Sequence, residues 1–505
     1  MTETKGSYQS FIGLEVHIHL LTKTKAFCRC SSAFGAEPNA NVCAGCLAYP
    51  GVLPTLNIEA LRIGCTVARA LNCRIPERMW FERKQYFYPD LSKNFQLTQF
   101  ASPLGQEGYV DIEGKTSEGK PINKRVRIKE CHMEEDAGKM IHTGTVSLLD
   151  YNRAGLALLE IVTQPDMETG EEAELFLQQL RRMVRYLGAC DGNMEEGSLR
   201  ADANVSINHR GQGLGRRVEI KNLNSSRFVR LGLNYEIKRH SMMMDEGKLV
   251  AQETRLWNEN RDQTEPMRKK ENAHDYRYMP EPDLPVFTPD KEFLKTVDDF
   301  LVELPVKRRK RIQDEYGLSA EQADLICEEK EEADYFEAAV RATSAAASSG
   351  GFEFKDAAAR IANFLLTDIK RILNRDGISL SRIGSIPLSP ARLANIMLML
   401  HQGQVSGKNA RQAMELVFSQ NKDPELIIRE QGWEFITDPA LIAEAVKKVH
   451  AAEHSVFTEA AGAADNPKRR KTLTAFLVGK VLSATNGRAD PGIAGRQVEE
   501  LIAKA

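Results

Sequence analysis

A two-residue alternation of apolar and polar positions runs from Phe11 to Leu20, FIGLEVHIHL. As a strand it places Glu15, His17 and His19 on one face and Leu14, Val16, Ile18 and Leu20 on the other. The same alternation recurs in SLRADANVSI, where Asp202, Asn204 and Ser206 oppose Ala203, Val205 and Ile207. VEIKNLNSS sets Glu219 and Lys221 against Val218 and Ile220. RVRIKECHMEED is an extended run ending in Glu134, Glu135 and Asp136, and LALLEIVTQPD is almost continuously apolar except for Glu160. Residues 104 to 124 are Gly-rich and polar and predict a hairpin. Helical spacing appears at residues 58 to 72 and from about Glu171 to Leu187. From Pro289 onward the pattern is helical, with Ser319 and Ser389 as caps and a small-residue break at residues 344–351. The prediction is an α+β chain. A mixed or antiparallel sheet domain spans 1–290, an all-α helical domain 291–405, and a small helical tail domain 406–505.

Composition narrows the class. A chain of 505 residues accommodates about three domains at ~150 residues each. With 68 basic and 70 acidic residues the net charge is -2, so no overall field draws it to nucleic acid. RNA contact would have to come from local patches, and KRRKR at 307–311 and KRRK at 468–471 are the candidates, solvated helix faces being the alternative. The opening residues are polar with no signal-peptide core, and no apolar run approaches the ~18 residues of a spanning helix. The expectation is a cytoplasmic protein with no membrane association.

The nine cysteines are scattered apart from one cluster, Cys28, Cys30, Cys43 and Cys46, which suits a reducing compartment. Two close pairs can bring four thiolates onto one zinc ion in a closed, structural site, against free buried thiols as the alternative. Cys65, Cys73, Cys131, Cys190 and Cys327 read as small core residues. Tyr86, Phe87 and Tyr88, beside Lys84, Lys93 and Gln96, can stack on a base, core packing being the commoner fate of such a cluster.

A carboxylate inside an apolar run is costly unless it is paired or holds a metal, which singles out Glu160. Strand faces carrying carboxylates, amides and a lysine supply what metal-assisted phosphoryl transfer needs. Carboxylates ligate magnesium, while Arg200, Asn204 and Lys221 donate to nucleotide phosphate oxygens. No phosphate-binding loop is present. GQVSGKN at 403–409 is one residue short between its glycines and reads as a loop before a helix. A zinc hydrolase built on His17 and His19 is a weak third reading, because no general base is evident nearby.

These stretches resemble one family, the B subunits of the aspartyl/glutamyl-tRNA amidotransferases. The residues that carry the likeness are IGLEVHIHL, FGAEPNANVC with LAYPGVLP, KQYFYPDLSK, HMEEDAGK, LLEIVTQPD, MEEGSLRADANVSI, EIKNLNS and DYRYMPEPDLP, in family order across roughly residues 11–285. The resemblance implies a catalytic cradle that uses ATP and magnesium to phosphorylate the side chain of Glu misacylated on tRNA-Gln, or Asp on tRNA-Asn. Ammonia from the glutaminase, the family's A subunit, reaches the site through a tunnel and displaces phosphate in a heterotrimer completed by the C subunit. By position, His17, Glu135 and Glu160 are the implied magnesium ligands. Glu15, Glu195, Asp202 and Glu219 are the implied acidic residues around ATP and the tunnel end. The four clustered cysteines match a zinc site that some members have, and the helical and tail domains are implied to hold tRNA. The rival reading, of another class, is a non-catalytic module that presents charged tRNA to an enzymatic partner.

Overall fold

The computed structural model describes residues 8–268, 276–346, 354–434, 436, 438–463, 465–485 and 487–504. They fall into two compact units, Met1–Pro305 and Val306–Ala505. The first opens with β1 (Tyr8–His19), α1 (Ile58–Ala70), β2 (Glu82–Gln85), β3 (Phe95–Thr98), β4 (Gly105–Lys115) and β5 (Pro121–Glu135). It continues with β6 (Lys139–Thr143), β7 (Val146–Asp150), β8 (Ala157–Thr163), α2 (Gly170–Tyr186), β9 (Leu199–His209), β10 (Val218–Leu223) and α3 (Ser226–Asp245). β11 (Glu253–Asn258), β12 (Gln263–Arg268), β13 (Met279–Pro280) and α4 (Lys291–Asp299) complete it.

One sheet orders the strands β12-β11-β10-β9-β1-β8-β5-β3-β2-β13, with β4 also pairing β5 and a separate β6–β7 ribbon. The β10–β11 pair is parallel, while β1 lies antiparallel between β8 and β9, so the mixed α+β class predicted from the pattern holds. Period two decides which face is which. Ile12, Leu14, Val16 and Ile18 are buried in a core shared with Leu61 of α1, Phe176 and Leu180 of α2 and Leu233 of α3. Each such burial is worth about 1.5–3 kcal/mol. A one-residue slip of β1 would expose all four and drive Glu15 and His17 into that core, which fixes the register. Helices therefore cover the apolar face, and the polar face stays open.

The hairpin predicted at 104–124 is β4–β5, and its glycines are a packing requirement. A Cβ on Gly108 would lie 2.4 Å from both Leu71 O and Cys73 Sγ at the end of α1. The α1 helix itself starts where Asn57 accepts hydrogen bonds from the Glu59 and Ala60 N–H groups.

Apolar packing runs across the positions at which the sequence pattern changes. Beyond 290, α4 still belongs to the first unit: Val297 is fully buried in its core, and the Arg62 guanidinium lies 3.3 Å from the Phe300 ring centroid. The second unit holds two apolar cores, one spanning Ile312 to Ile428 and one spanning Ile442 to Ile502. The expected boundary at 405 lies inside the former, because Ala410, Met414 and Val417 pack into it. The small-residue break falls between helices ending at Ala346 and starting at Phe354, and residues 347–351 of it lie outside the described residues.

Candidate active site and cysteine cluster

The open face of the sheet gathers charge around β1. Register sets His17 opposite Glu160 of β8 and Arg200 of β9, and sets Glu160 opposite His132 of β5. His17 Nε2 lies 3.2 Å from Glu160 Oε2 and 3.5 Å from Glu134 Oε1, and His132 Nε2 lies 3.1 Å from Glu160 Oε2. His17, Glu134 and Glu160 each offer a ligand atom, all within 4.8 Å of one another. Burial opposes charge on Glu160, yet hydrogen bonds from His132 and His17 hold it below the usual carboxylate range. Burial likewise opposes charge on the two imidazoles, and Glu160 nevertheless keeps both above their ordinary value. Two carboxylates and one imidazole suit a divalent cation that takes its other ligands from water and substrate phosphates.

The next residues along β1 extend this cluster in both directions. Glu15 accepts from Asn204 Nδ2 at 3.0 Å. Burial and the neighbouring Glu160 and Glu219 charges push Glu15 up. Asp202, opposite Glu15, accepts from Lys221 Nζ at 2.6 Å, and Glu219 lies 3.2 Å from the same nitrogen. Glu219 also accepts from the Thr254 hydroxyl at 2.8 Å. Asp136 is ringed by His19 at 2.8 Å, Arg200 at 3.2 Å and Arg153 at 3.3 Å. Despite burial, the His19 hydrogen bond and the two guanidiniums hold the Asp136 carboxyl down at about 2.

The four clustered cysteines converge in the long loop between β1 and α1. Cys46 Sγ lies 3.5 Å from Cys28, 3.7 Å from Cys30 and 3.8 Å from Cys43. A tetrahedral zinc with thiolates at about 2.3 Å requires sulfur–sulfur spacings of about 3.8 Å, so the donor set fits that ion. Cys46 is held low, at about 4, first by the Cys28 thiol donating to it and also by Lys25. Lys25 is fully buried and reaches Cys46 Sγ at 3.4 Å and Tyr151 O at 3.0 Å.

The sequence matches the GatB/GatE catalytic domain family over residues 10–295 and the GatB domain family over residues 334–504. The B subunit of the aspartyl/glutamyl-tRNA(Asn/Gln) amidotransferase from Carboxydothermus hydrogenoformans is 42% identical over 503 residues, covering 98% of this chain and 99% of that protein. The proteins named alike from Crocosphaera subtropica and Thermoanaerobacter pseudethanolicus are each 41% identical, covering 99% and 98% of this chain and 99% and 100% of their own lengths. The chain belongs to the family of amidotransferase B subunits.

Within that family's catalytic domain, the structure rearranges two of the residues singled out from sequence. Glu135 stands on the opposite face of β5 from Glu134. It accepts the Leu97 N–H at 2.9 Å and pairs with Lys93, lining a cavity of about 560 Å³ with Cys28, Cys46 and Asp136. Glu134, not Glu135, therefore joins His17 and Glu160. The reason is a register shift between Ile128 and Glu130 against β8, after which Cys131 and Met133 point into the core and His132 and Glu134 point out. Alternation within CHMEE carries this signal, but the shift hides it from a count begun at Val126. Glu195 sits exposed in the turn before β9, where its backbone N–H donates to Asn193 Oδ1 at 3.0 Å. Glu15, Asp202, Asn204, Glu219 and Lys221 meet on the open face, and Arg200, inside β9 opposite His17 and not ahead of the strand, joins them.

The two basic runs of the second unit differ in kind. Arg308 is buried against Glu337 at 3.0 Å and Asp334 at 2.7 Å, and Arg311 reaches Glu337 at 2.7 Å. Arg309 pairs with Asp324 at 3.2 Å, so the arginines of the first run are engaged within their own unit. The second run opens the helix Pro467–Ala484, with Lys468, Arg469 and Lys471 exposed. Cations in a first turn oppose the helix dipole, and a bound anion would reverse that cost. No helix among the described residues is long and apolar enough to cross a membrane.

Proposed function

We propose that this chain is the B subunit of a tRNA-dependent amidotransferase and carries its phosphorylating and amidating site. The substrate is Glu on tRNA-Gln or Asp on tRNA-Asn, and the partners, in the cytoplasm, are the glutaminase of the complex and the third member of its heterotrimer. The observation that carries the reading is the placement of His17, Glu134 and Glu160 on the same sheet face as Arg200 and Lys221. A module that only presented tRNA would have no use for carboxylates held at that depth, where desolvation must be offset by paired charges or a ligand.

A side-chain carboxylate is a poor acyl donor until one oxygen becomes a phosphate leaving group. In the first step the carboxylate oxygen bonds to the γ-phosphorus of ATP while the bond to ADP breaks. In the second, the ammonia nitrogen bonds to the acyl carbon, phosphate departs with the C–O bond, and a proton is lost as the amide forms. His17, Glu134 and Glu160 would hold magnesium, which supplies charge neutralisation at the phosphate oxygens. Arg200 and Lys221 take phosphate oxygens directly. Asp202 and Glu219 hold the Lys221 ammonium at 2.6 and 3.2 Å. No protein nucleophile is required, because positioning and charge neutralisation carry both steps. The cysteine cluster holds structural zinc, and the tail domain with its 468–471 patch contacts tRNA phosphates.

The test is ADP release by the assembled enzyme in magnesium, with and without misacylated Glu-tRNA-Gln or Asp-tRNA-Asn. Release should depend on the misacylated tRNA, and Glu160→Gln should abolish it while tRNA affinity stays within a few fold. Normal turnover with lost tRNA binding in that variant would favour the tRNA-presenting reading.

A further inference from the structure

The open face does not end at the acidic cluster. Glu134 of β5 is opposite Thr98 of β3, and Gln96, two residues earlier on the same face, is opposite Lys84 of β2. Just past Lys84 the polar strip gives way to four aromatic rings. Tyr86 follows β2, and Phe100 follows β3. Tyr276 and Tyr278 arrive from the segment before β13, fixed there by Gln85 N–H donating to Tyr276 O at 2.8 Å and by the Met279–Arg83 pairing.

The rings form a continuous wall. Tyr86 and Tyr276 meet edge to face at 6.1 Å, as do Tyr276 and Tyr278, while Tyr278 and Phe100 stack in parallel at 4.1 Å. Lys84 Nζ lies 5.0 Å from the Tyr276 centroid and 5.9 Å from that of Tyr86. Core aromatics would be buried, but Phe100 remains 61% exposed, so the stacked pair presents an open ring face. The wall also lies within electrostatic reach of the acidic cluster. Burial is the main cause that pushes Tyr278 up to about 12, and the Glu134 and Glu160 charges add to it. A wall of rings with an exposed π face at Phe100 and a lysine over its Tyr86–Tyr276 end, on the same strip as a phosphate-handling carboxylate cluster, has the chemistry of a nucleobase seat.

We propose that Tyr86, Tyr276, Tyr278 and Phe100 seat an adenine base, with Lys84 bridging from that base toward the acidic face by taking a phosphate oxygen. This rests on the reading of the open face as the phosphorylating site. Adenine has two sources in that reaction, ATP and the 3′-terminal adenosine of the tRNA, and both carry a phosphate within reach of a lysine beside the ring.

The test uses the assembled enzyme with Phe100→Ala, and with Phe100→Leu as the variant that keeps apolar volume without a π face. Base stacking by one aromatic is worth a factor of about 10–100. If ATP supplies the base, KM for ATP rises by about that factor, kcat changes less than threefold, and the preference for ATP over GTP shrinks. If the tRNA supplies it, KM for ATP is unchanged. Affinity for misacylated tRNA then falls by about that factor, and tRNA lacking its terminal adenosine no longer distinguishes variant from parent. Phe100→Trp should restore either loss. Unchanged ATP and tRNA parameters in both Phe100 variants, with Glu160→Gln still inactive, would overturn the adenine seat and leave the proposed function standing. Full turnover by Glu160→Gln would overturn the function itself.

Discussion

Lys25, wholly buried, points its Nζ at Cys46 Sγ across 3.4 Å. An ion bound by four thiolates carries net negative charge, and a buried ammonium beside one sulfur offsets it. Replacing Lys25 by Met keeps the stem and removes that charge. Zinc loss to a chelator from the assembled protein should then be about 10–100-fold faster, followed with a colorimetric metal indicator. Equal loss rates in the two proteins would mean that Lys25 packs the loop and does not stabilise the metal.

Glu134 and Glu135 are adjacent in sequence and opposite in space, so they separate cleanly by substitution. Binding of manganese as a spectroscopic stand-in for magnesium should weaken at least about tenfold in Glu134→Gln. In Glu135→Gln it should stay near the parent value, because that carboxylate serves Lys93 and the Leu97 N–H. The reverse pattern would restore Glu135 as the ligand.

The two basic runs should fail in different assays. Arg308→Ala leaves Glu337 buried without one of its partners, and removing half of such a pair costs about 3–5 kcal/mol, readable as a lower unfolding midpoint. Lys468→Ala with Lys471→Ala should leave melting unchanged. It should reduce the slope of log tRNA affinity against log salt by about 1 to 2. A salt slope unaltered by the double variant would remove this patch from the tRNA interface.

Glu332 introduces a pH dependence into the second unit. Its side chain is shut off from solvent, and Lys370 Nζ lies 2.9 Å from Oε1. Burial pushes the carboxyl up to about 7, with Lys370 opposing and Glu328 and Glu329 adding to the rise. The folded state therefore keeps a proton that the unfolded chain releases above its ordinary value near 4.5. The stability this contributes is fully present below that value and is lost as pH rises toward 7. Unfolding free energy should fall between pH 5 and 7.5 by on the order of 2–3 kcal/mol, and Glu332→Gln should flatten the slope. Parallel urea profiles for the two proteins at both pH values would contradict the assignment.

Much of the open face was legible in the chain because strand alternation is a local property. Backbone pleat alone places Glu15, His17 and His19 opposite Leu14, Val16 and Ile18, and the spacing of Cys28, Cys30, Cys43 and Cys46 by itself allows four sulfurs to meet. The family's motifs, read in order, carried the activity. Pairing across the sheet was not local. Which strand neighbours β1, where β5 shifts register against β8, and hence that Glu134 rather than Glu135 reaches His17, depend on contacts between segments well separated in sequence. The same holds for Arg308, which reads as a surface cation in KRRKR and becomes a buried partner of Glu337 once two helices pack. The wall of Tyr86, Phe100, Tyr276 and Tyr278 likewise exists only because β13 returns to the edge of the sheet beside β2. Periodicity fixes the direction of a side chain relative to its own backbone, whereas its neighbours are chosen by the global packing that buries the most apolar surface.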